Sequence, residues 1–157
     1  MDETEARLAI EALIHDYAHT IDDDRLEAWP DLFTEDCLYK VISRESHEQG
    51  LPAGFMVCET VGMLRDRVLA LRVANVYEPH VYRHLISAIR IDGRDGEAWR
   101  VRTGFAVIRT MQGGETGVFL SGRYLDRIVF EAGAARFRER IVVCDSSRID
   151  TLIVIPP

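Results

Sequence analysis

The feature that most constrains this chain is a change of hydrophobic period. Up to about residue 73 the apolar residues recur at helical spacing, and from Val81 to Cys144 they alternate with a period of two. A chain of this kind places helices first and a run of antiparallel strands after them, which is an α+β layout. Glu3 to Ile21 carries Ile10, Leu13, Ile14, Tyr17 and Ile21 on one stripe, with acidic residues at its positive end, and predicts an amphipathic helix. Asp22-Asp23-Asp24 offers an N-cap to a short second helix bearing Leu26, Trp29 and Phe33, interrupted by Pro30. Leu38 to Ser43 predicts a first strand, Glu45 to Gly54 a loop, and Thr60 the cap of a helix that buries Val61, Leu64, Val68 and Leu71.

Beyond Pro79, Tyr82 to Ile91 predicts a strand. The next puts Trp99, Val101, Thr103, Phe105, Val107 and Met111 on one face and Arg100 and Arg102 on the other. Gln112-Gly113-Gly114 turns the chain, and Val118 to Phe130 returns with a bulge expected at Ser121-Gly122. Gly133 then opens the strand Ala135 to Cys144. On that last strand the alternation predicts Phe137, Ile141 and Val143 inward, with Arg136, Arg138 and Arg140 outward. The apolar stretch Leu152, Ile153, Val154, Ile155 needs cover, and a subunit interface shared with those arginines is the expectation. The whole of 1–157 is expected to form a single domain, since its 157 residues, 47% hydrophobic, suffice for one core.

Charge and cysteine use narrow the function classes. A net charge of −7 lacks the basic surface that nucleic-acid phosphates require. No apolar run reaches the ~18 residues of a membrane span. The odd, scattered Cys37, Cys58 and Cys144 read as reduced thiols of a cytoplasmic protein. All basic residues but Lys40 are arginine, the side chain suited to bidentate carboxylate pairing.

The chemistry-bearing residues form no complete set. His80 and His84 on a strand would stand about 13 Å apart, too far to share a metal. His15 and His19 lie one helical turn apart without a further ligand, and no spacing suits an iron–sulfur cluster. No serine nucleophile elbow, phosphate loop or dinucleotide fingerprint occurs. General acid–base work in a cone-shaped pocket remains, with Tyr17, Asp22, Asp36 and His84 as candidates. Against it stand structural readings of the same residues: Asp22 as a helix cap, Asp36 as a turn residue before a strand, Tyr17 as a core aromatic with its hydroxyl satisfied, and His84 as a hydrogen-bonded core or interface residue. Trp29 and Trp99 read as core residues rather than ligand-stacking ones.

The segment Ala28-Trp29-Pro30-Asp31-Leu32-Phe33-Thr34-Glu35-Asp36-Cys37 resembles the small (β) subunits of aromatic-ring-hydroxylating dioxygenases. The likeness continues through Gly50-Leu51-Pro52-Ala53-Gly54, Met63 to Arg67, Tyr82-Arg83-His84, Tyr124-Leu125-Asp126, Glu139-Arg140-Ile141 and Val143 to Ser146. Within that family it is greatest to the small subunits of terephthalate dioxygenases. The resemblance implies a nuclear-transport-factor-2-like cone, a curved and mostly antiparallel sheet with N-terminal helices on its concave face. It also implies an α3β3 assembly in which the large subunit holds the Rieske [2Fe–2S] cluster and a mononuclear Fe(II), fed from NAD(P)H through a separate reductase. The small subunit is then non-catalytic, with no catalytic, cofactor-binding or metal residues to carry over, and it contacts the large subunit and other copies of itself. The alternative is a stand-alone isomerase or dehydratase of the same fold, working through Asp22, Tyr17 or His84.

Overall fold

The computed structural model describes residues 1–149 and 153–157. A capping box opens helix α1 (Glu3–Asp22): the Asp2 carboxylate accepts the Glu5 N–H at 2.8 Å, and the Glu5 carboxylate accepts the Asp2 N–H at 2.9 Å. Ile10, Leu13, Ile14, Tyr17 and Ile21 are buried along its inner stripe. A 3₁₀ segment (Leu26–Leu32) follows, whose cap position is Arg25 without a side-chain hydrogen bond, so none of the three aspartates caps it. Its Trp29 is fully buried, edge-on to Phe33 and Tyr39 with ring centroids 5.7 and 5.2 Å away.

Strand β1 (Phe33–Ser43) begins earlier than the sequence suggests, and Asp36 lies exposed inside it rather than in a turn. Its pairing slips between Phe33 and Leu38, which explains why periodicity reveals only the second half. The polar stretch after β1 contains a short helix α2 (Arg44–Glu48), capped by the Ser43 hydroxyl. After β2 (Met56–Cys58), the Thr60 hydroxyl caps α3 (Val61–Val73), which buries Leu64, Val68 and Leu71. Arg72 of α3 donates to Asp24 at 2.9 Å and Glu27 at 2.8 Å, tying the helix to the chain just after α1.

Four long strands complete the sheet: β3 (His80–Asp95), β4 (Ala98–Met111), β5 (Thr116–Glu131) and β6 (Ala134–Cys144). The six-stranded order is β2-β1-β6-β5-β4-β3, antiparallel throughout except for the parallel β1–β6 pair. Val101, Thr103, Phe105 and Val107 are buried on one face of β4, as its alternation requires.

Two bulges lie elsewhere than expected. In β5 the extra residue is Phe119, because Val107 pairs with Leu120 and Ile108 with Val118, while Ser121 and Gly122 pair regularly. In β6 it is Arg138, since Glu139 pairs with Arg127 but Phe137 pairs with Ile128. A one-residue insertion reverses the facing of everything after it. Phe137 therefore points inward together with Arg140, Val142 and Cys144, which corrects the outward placement of Arg140 and the inward placement of Ile141 and Val143. Helix α1 lies across β3 and β6 on this inner face.

Candidate functional site

The inner face of the cone holds two hydrogen-bonded polar clusters around Tyr17. In the first, the Asp22 carboxylate accepts the backbone N–H of His84 at 2.8 Å and its ring Nδ1–H at 2.6 Å. Both side chains are almost wholly buried. An ionised carboxylate can only accept, so Nδ1 carries the proton and the His84 ring is held in one orientation. Asp22 is thus a partner of a strand 62 residues away rather than a helix cap. The His84 Nε2 atom is buried without a hydrogen-bond partner.

In the second cluster, Arg140 donates from Nε and Nη2 to the two Asp126 oxygens at 2.8 and 2.7 Å, with both side chains at zero exposure. The guanidinium also lies over the rings of Tyr17, Tyr124 and Phe137, 3.9 to 4.2 Å from their centroids. Burial disfavours the Arg140 charge, but the Asp126 carboxylate outweighs it and leaves the group firmly cationic. This pair is the main feature that sequence reasoning missed. Its bidentate geometry makes it a structural clamp between β5 and β6.

Tyr17 joins the two clusters. Its ring centroid is 6.1 Å from that of His84 and 5.7 Å from that of Tyr124. Its hydroxyl donates to the Pro157 carbonyl at 2.8 Å and lies 3.1 Å from the Tyr39 hydroxyl, which then donates to it. Burial pushes the Tyr17 hydroxyl up to about 12. Tyr17 is therefore a core aromatic with its hydroxyl satisfied. Of the acid–base candidates the fold brings Tyr17, Asp22 and His84 together and leaves Asp36 outside.

The stretch 153–157 finds its cover inside this same chain. Ile153, Val154 and Ile155 are buried in the core, and the Tyr82 hydroxyl donates to the Ile155 carbonyl at 3.1 Å. Leu152 lies outside the described residues. Arg136 and Arg138 are half-buried, and Arg138 pairs with Glu97. Trp99 is partly buried under the Arg94 guanidinium, at 5.1 Å from its ring centroid.

The described residues do not fit an iron or iron–sulfur site. The Tyr82 ring stands between His80 and His84, at 5.5 and 6.1 Å from theirs, and His80 Nδ1 meets the Glu78 carbonyl at 2.8 Å. Burial raises Cys58 and pushes the Cys37 and Cys144 thiols up to about 11 and 12, so none offers a thiolate at neutral pH. Among the described residues no three His, Cys, Asp or Glu side chains converge, and no helix is long and apolar enough to cross a membrane.

A profile for the SnoaL-like domain matches residues 2–141. The chain is 46% identical to the β1 subunit of the terminal oxygenase component of terephthalate 1,2-dioxygenase from Comamonas, over 89% of this chain and 91% of that one. It is 42% identical to the small subunit of anthranilate 1,2-dioxygenase from Burkholderia cepacia, over 89% and 87% of the two chains. A crystal structure from Novosphingobium aromaticivorans, described as the β subunit of an aromatic-ring-hydroxylating dioxygenase, superposes with a TM-score of 0.88 at 43% identity and covers 97% of each chain. With its cone fold, its filled interior and these relatives, the chain belongs to the SnoaL-like domain family and, within it, to the small (β) subunits of aromatic-ring-hydroxylating dioxygenases.

Proposed function

We propose that this chain, as one domain, is the structural subunit of an oxygenase that cis-dihydroxylates an aromatic dicarboxylate of the terephthalate kind. It assembles as α3β3 with a large subunit that carries the Rieske [2Fe–2S] cluster and the mononuclear iron, and a separate reductase supplies electrons from NAD(P)H. The observation that carries this reading is the filled cone. The carboxylate and imidazole that could move protons are paired with each other, and the segment Ile153–Pro157 is packed into the core with its carbonyls bound by Tyr17 and Tyr82. Identity of 46% to a terephthalate dioxygenase subunit supports the substrate class. Since Arg140 and Ile153 to Ile155 are buried within the chain, Arg136 and Arg138 are the described residues of the expected interface left to meet a partner.

Coexpression with a large oxygenase subunit tests the reading. Native mass spectrometry should give a three-plus-three assembly whose iron and acid-labile sulfide follow the large subunit. Terephthalate turnover should require that subunit. A small chain that stays apart from it, or that transforms a substrate alone, would refute the proposal and favour the isomerase or dehydratase alternative built on Asp22 and His84.

A further inference from the structure

The strand half of the chain carries charge of the opposite sign to the chain as a whole. Up to Pro79 there are 7 basic and 17 acidic residues, and from His80 onward 12 basic and 9 acidic. Cross-strand partners share a face, so the pairings place several of these cations together on the outer face of the sheet, away from α1. Arg90 stands opposite Arg102, and Arg100 opposite Arg127. Like charges directly opposite one another are unfavourable. Asp92 offsets part of this, 3.1 Å from Arg90 and 2.6 Å from Arg102, while Arg127 pairs with Asp95 and lies 3.7 Å from Glu139. The Arg100 guanidinium reaches only the Asp92 carbonyl, at 3.3 Å. Lys40 has no ion-pair partner among the described residues, and Arg123 keeps a buried Nε without a partner.

Between these charges runs an aliphatic pair. Leu125 stands opposite Arg102 on one side and Ile141 on the other, and Ile141 stands beside Lys40 of β1. Across four strands the order is thus cation, two aliphatic side chains, cation. Arg102 and Lys40 are three strand spacings apart, about 14 Å at the backbone, and their long side chains can lean inward over the pair. A shallow outer cavity of about 290 Å³ lies here, lined by Leu125 and Ile141, by Arg100, Arg102 and Arg127, and by Asp92 and Glu139; Asp126 borders it too, with its carboxylate held by Arg140. We propose that this outer dish binds an aromatic dicarboxylate, its ring on Leu125 and Ile141 and its carboxylates toward Arg100 and Arg102 at one end and Lys40 at the other. The acids of the lining are already engaged by arginines, so Arg100 and Lys40 supply the unspent charge. The ring covers aliphatic surface, and the bound anion offsets the repulsion between Arg100 and Arg127. The ligand class follows from the cations spaced about the aliphatic pair rather than from the proposed reaction, and every group belongs to this chain.

The test titrates the whole chain with terephthalate and follows backbone amide shifts by NMR, with benzoate and adipate as probes that lack one carboxylate or the ring. Terephthalate should bind about tenfold more tightly than either, shift the amides of Arg100, Arg102, Leu125 and Ile141, and weaken as salt rises. Lys40→Gln should bring terephthalate down to the affinity of benzoate and leave benzoate unchanged, whereas Arg100→Gln should weaken both. Arg100 is exposed and Lys40 half-buried on this outer face, so both variants keep the core intact. The absence of a saturable shift, or shifts beside His84 on the inner face in place of these, would overturn the inference. Equal affinities for terephthalate and benzoate would overturn the dicarboxylate class. A dish that fills in the free chain and not in the complex with the large subunit is a subunit contact, and that result would equally defeat the proposal.

Discussion

At the scale of the residue, the buried Arg140–Asp126 pair decides the most. Removing one partner leaves the other as an unpaired charge at a site with no exposure. Arg140→Ala should therefore cost about 3–5 kcal/mol in urea unfolding followed by circular dichroism. Replacing both at once, Arg140→Met with Asp126→Leu, should recover much of that loss, since the desolvation cost then disappears with the charges. Equal destabilisation in the single and double variants would contradict the role assigned to the pair. The Asp22–His84 contact makes a different forecast. Asp22→Asn keeps one acceptor for two N–H donors and should cost about 1–3 kcal/mol of stability. Its turnover per assembled iron–sulfur centre, coexpressed with the large subunit, should match the unmodified complex. A general acid or base in its place would cost about 10²–10⁴ in rate.

The elements show where the sequence could be read and where it could not. Helices α1 and α3 and strand β4 carry clean periodicities, because each has one wet and one dry face, and they lie where that pattern puts them. Strand β6 is different. Its run Ile141-Val142-Val143-Cys144 is apolar at both parities, so alternation cannot fix which side faces the core, and the bulge at Arg138 decides it. That is why Arg140 read as a surface residue. The Asp22–His84 contact was equally hidden, because it depends on α1 crossing β3 and leaves no local signal; only the candidate residue types were visible. The turn between β5 and β6 makes its own prediction. Ala132 holds φ at 49° beside Gly133 at 82°, a pairing that suits asparagine followed by glycine. Ala132→Asn should raise stability by about 0.5–1 kcal/mol, read as a higher urea midpoint. A lower midpoint would mean the side chain meets something other than backbone preference.

For the whole molecule, the buried acids set the response to alkali. Tyr17 is held at about 12 against an ordinary 10.0, Cys144 at about 12 and Cys37 at about 11 against 9.0. Each is raised by burial, so well below pH 9 all three are protonated in folded and unfolded chains and their contribution is fully present. From pH 9 to about 12 the unfolded chain ionises first, and stability falls with a share of about 3 kcal/mol for each of the two-unit differences at Tyr17 and Cys37 and about 4 kcal/mol for the three-unit one at Cys144. The urea midpoint should therefore drop steeply across that range, and Cys144→Ala should flatten the drop. A midpoint level up to pH 12 would show that these groups reach water in the folded state.

The parallel pairing of β1 with β6 carries a consequence in time rather than in space. Phe33 to Ser43 meets Phe137 to Cys144 only after the three antiparallel hairpin strands between them have been laid down, so this seam of the sheet joins residues about a hundred positions apart. During synthesis the apolar side of β1, with Tyr39 and Val41, must wait for its neighbour while the hairpins of β3 to β6 form by local contacts. The seam is the slow, aggregation-exposed step of folding, and a nascent chain would profit from a chaperone's shelter until β6 arrives.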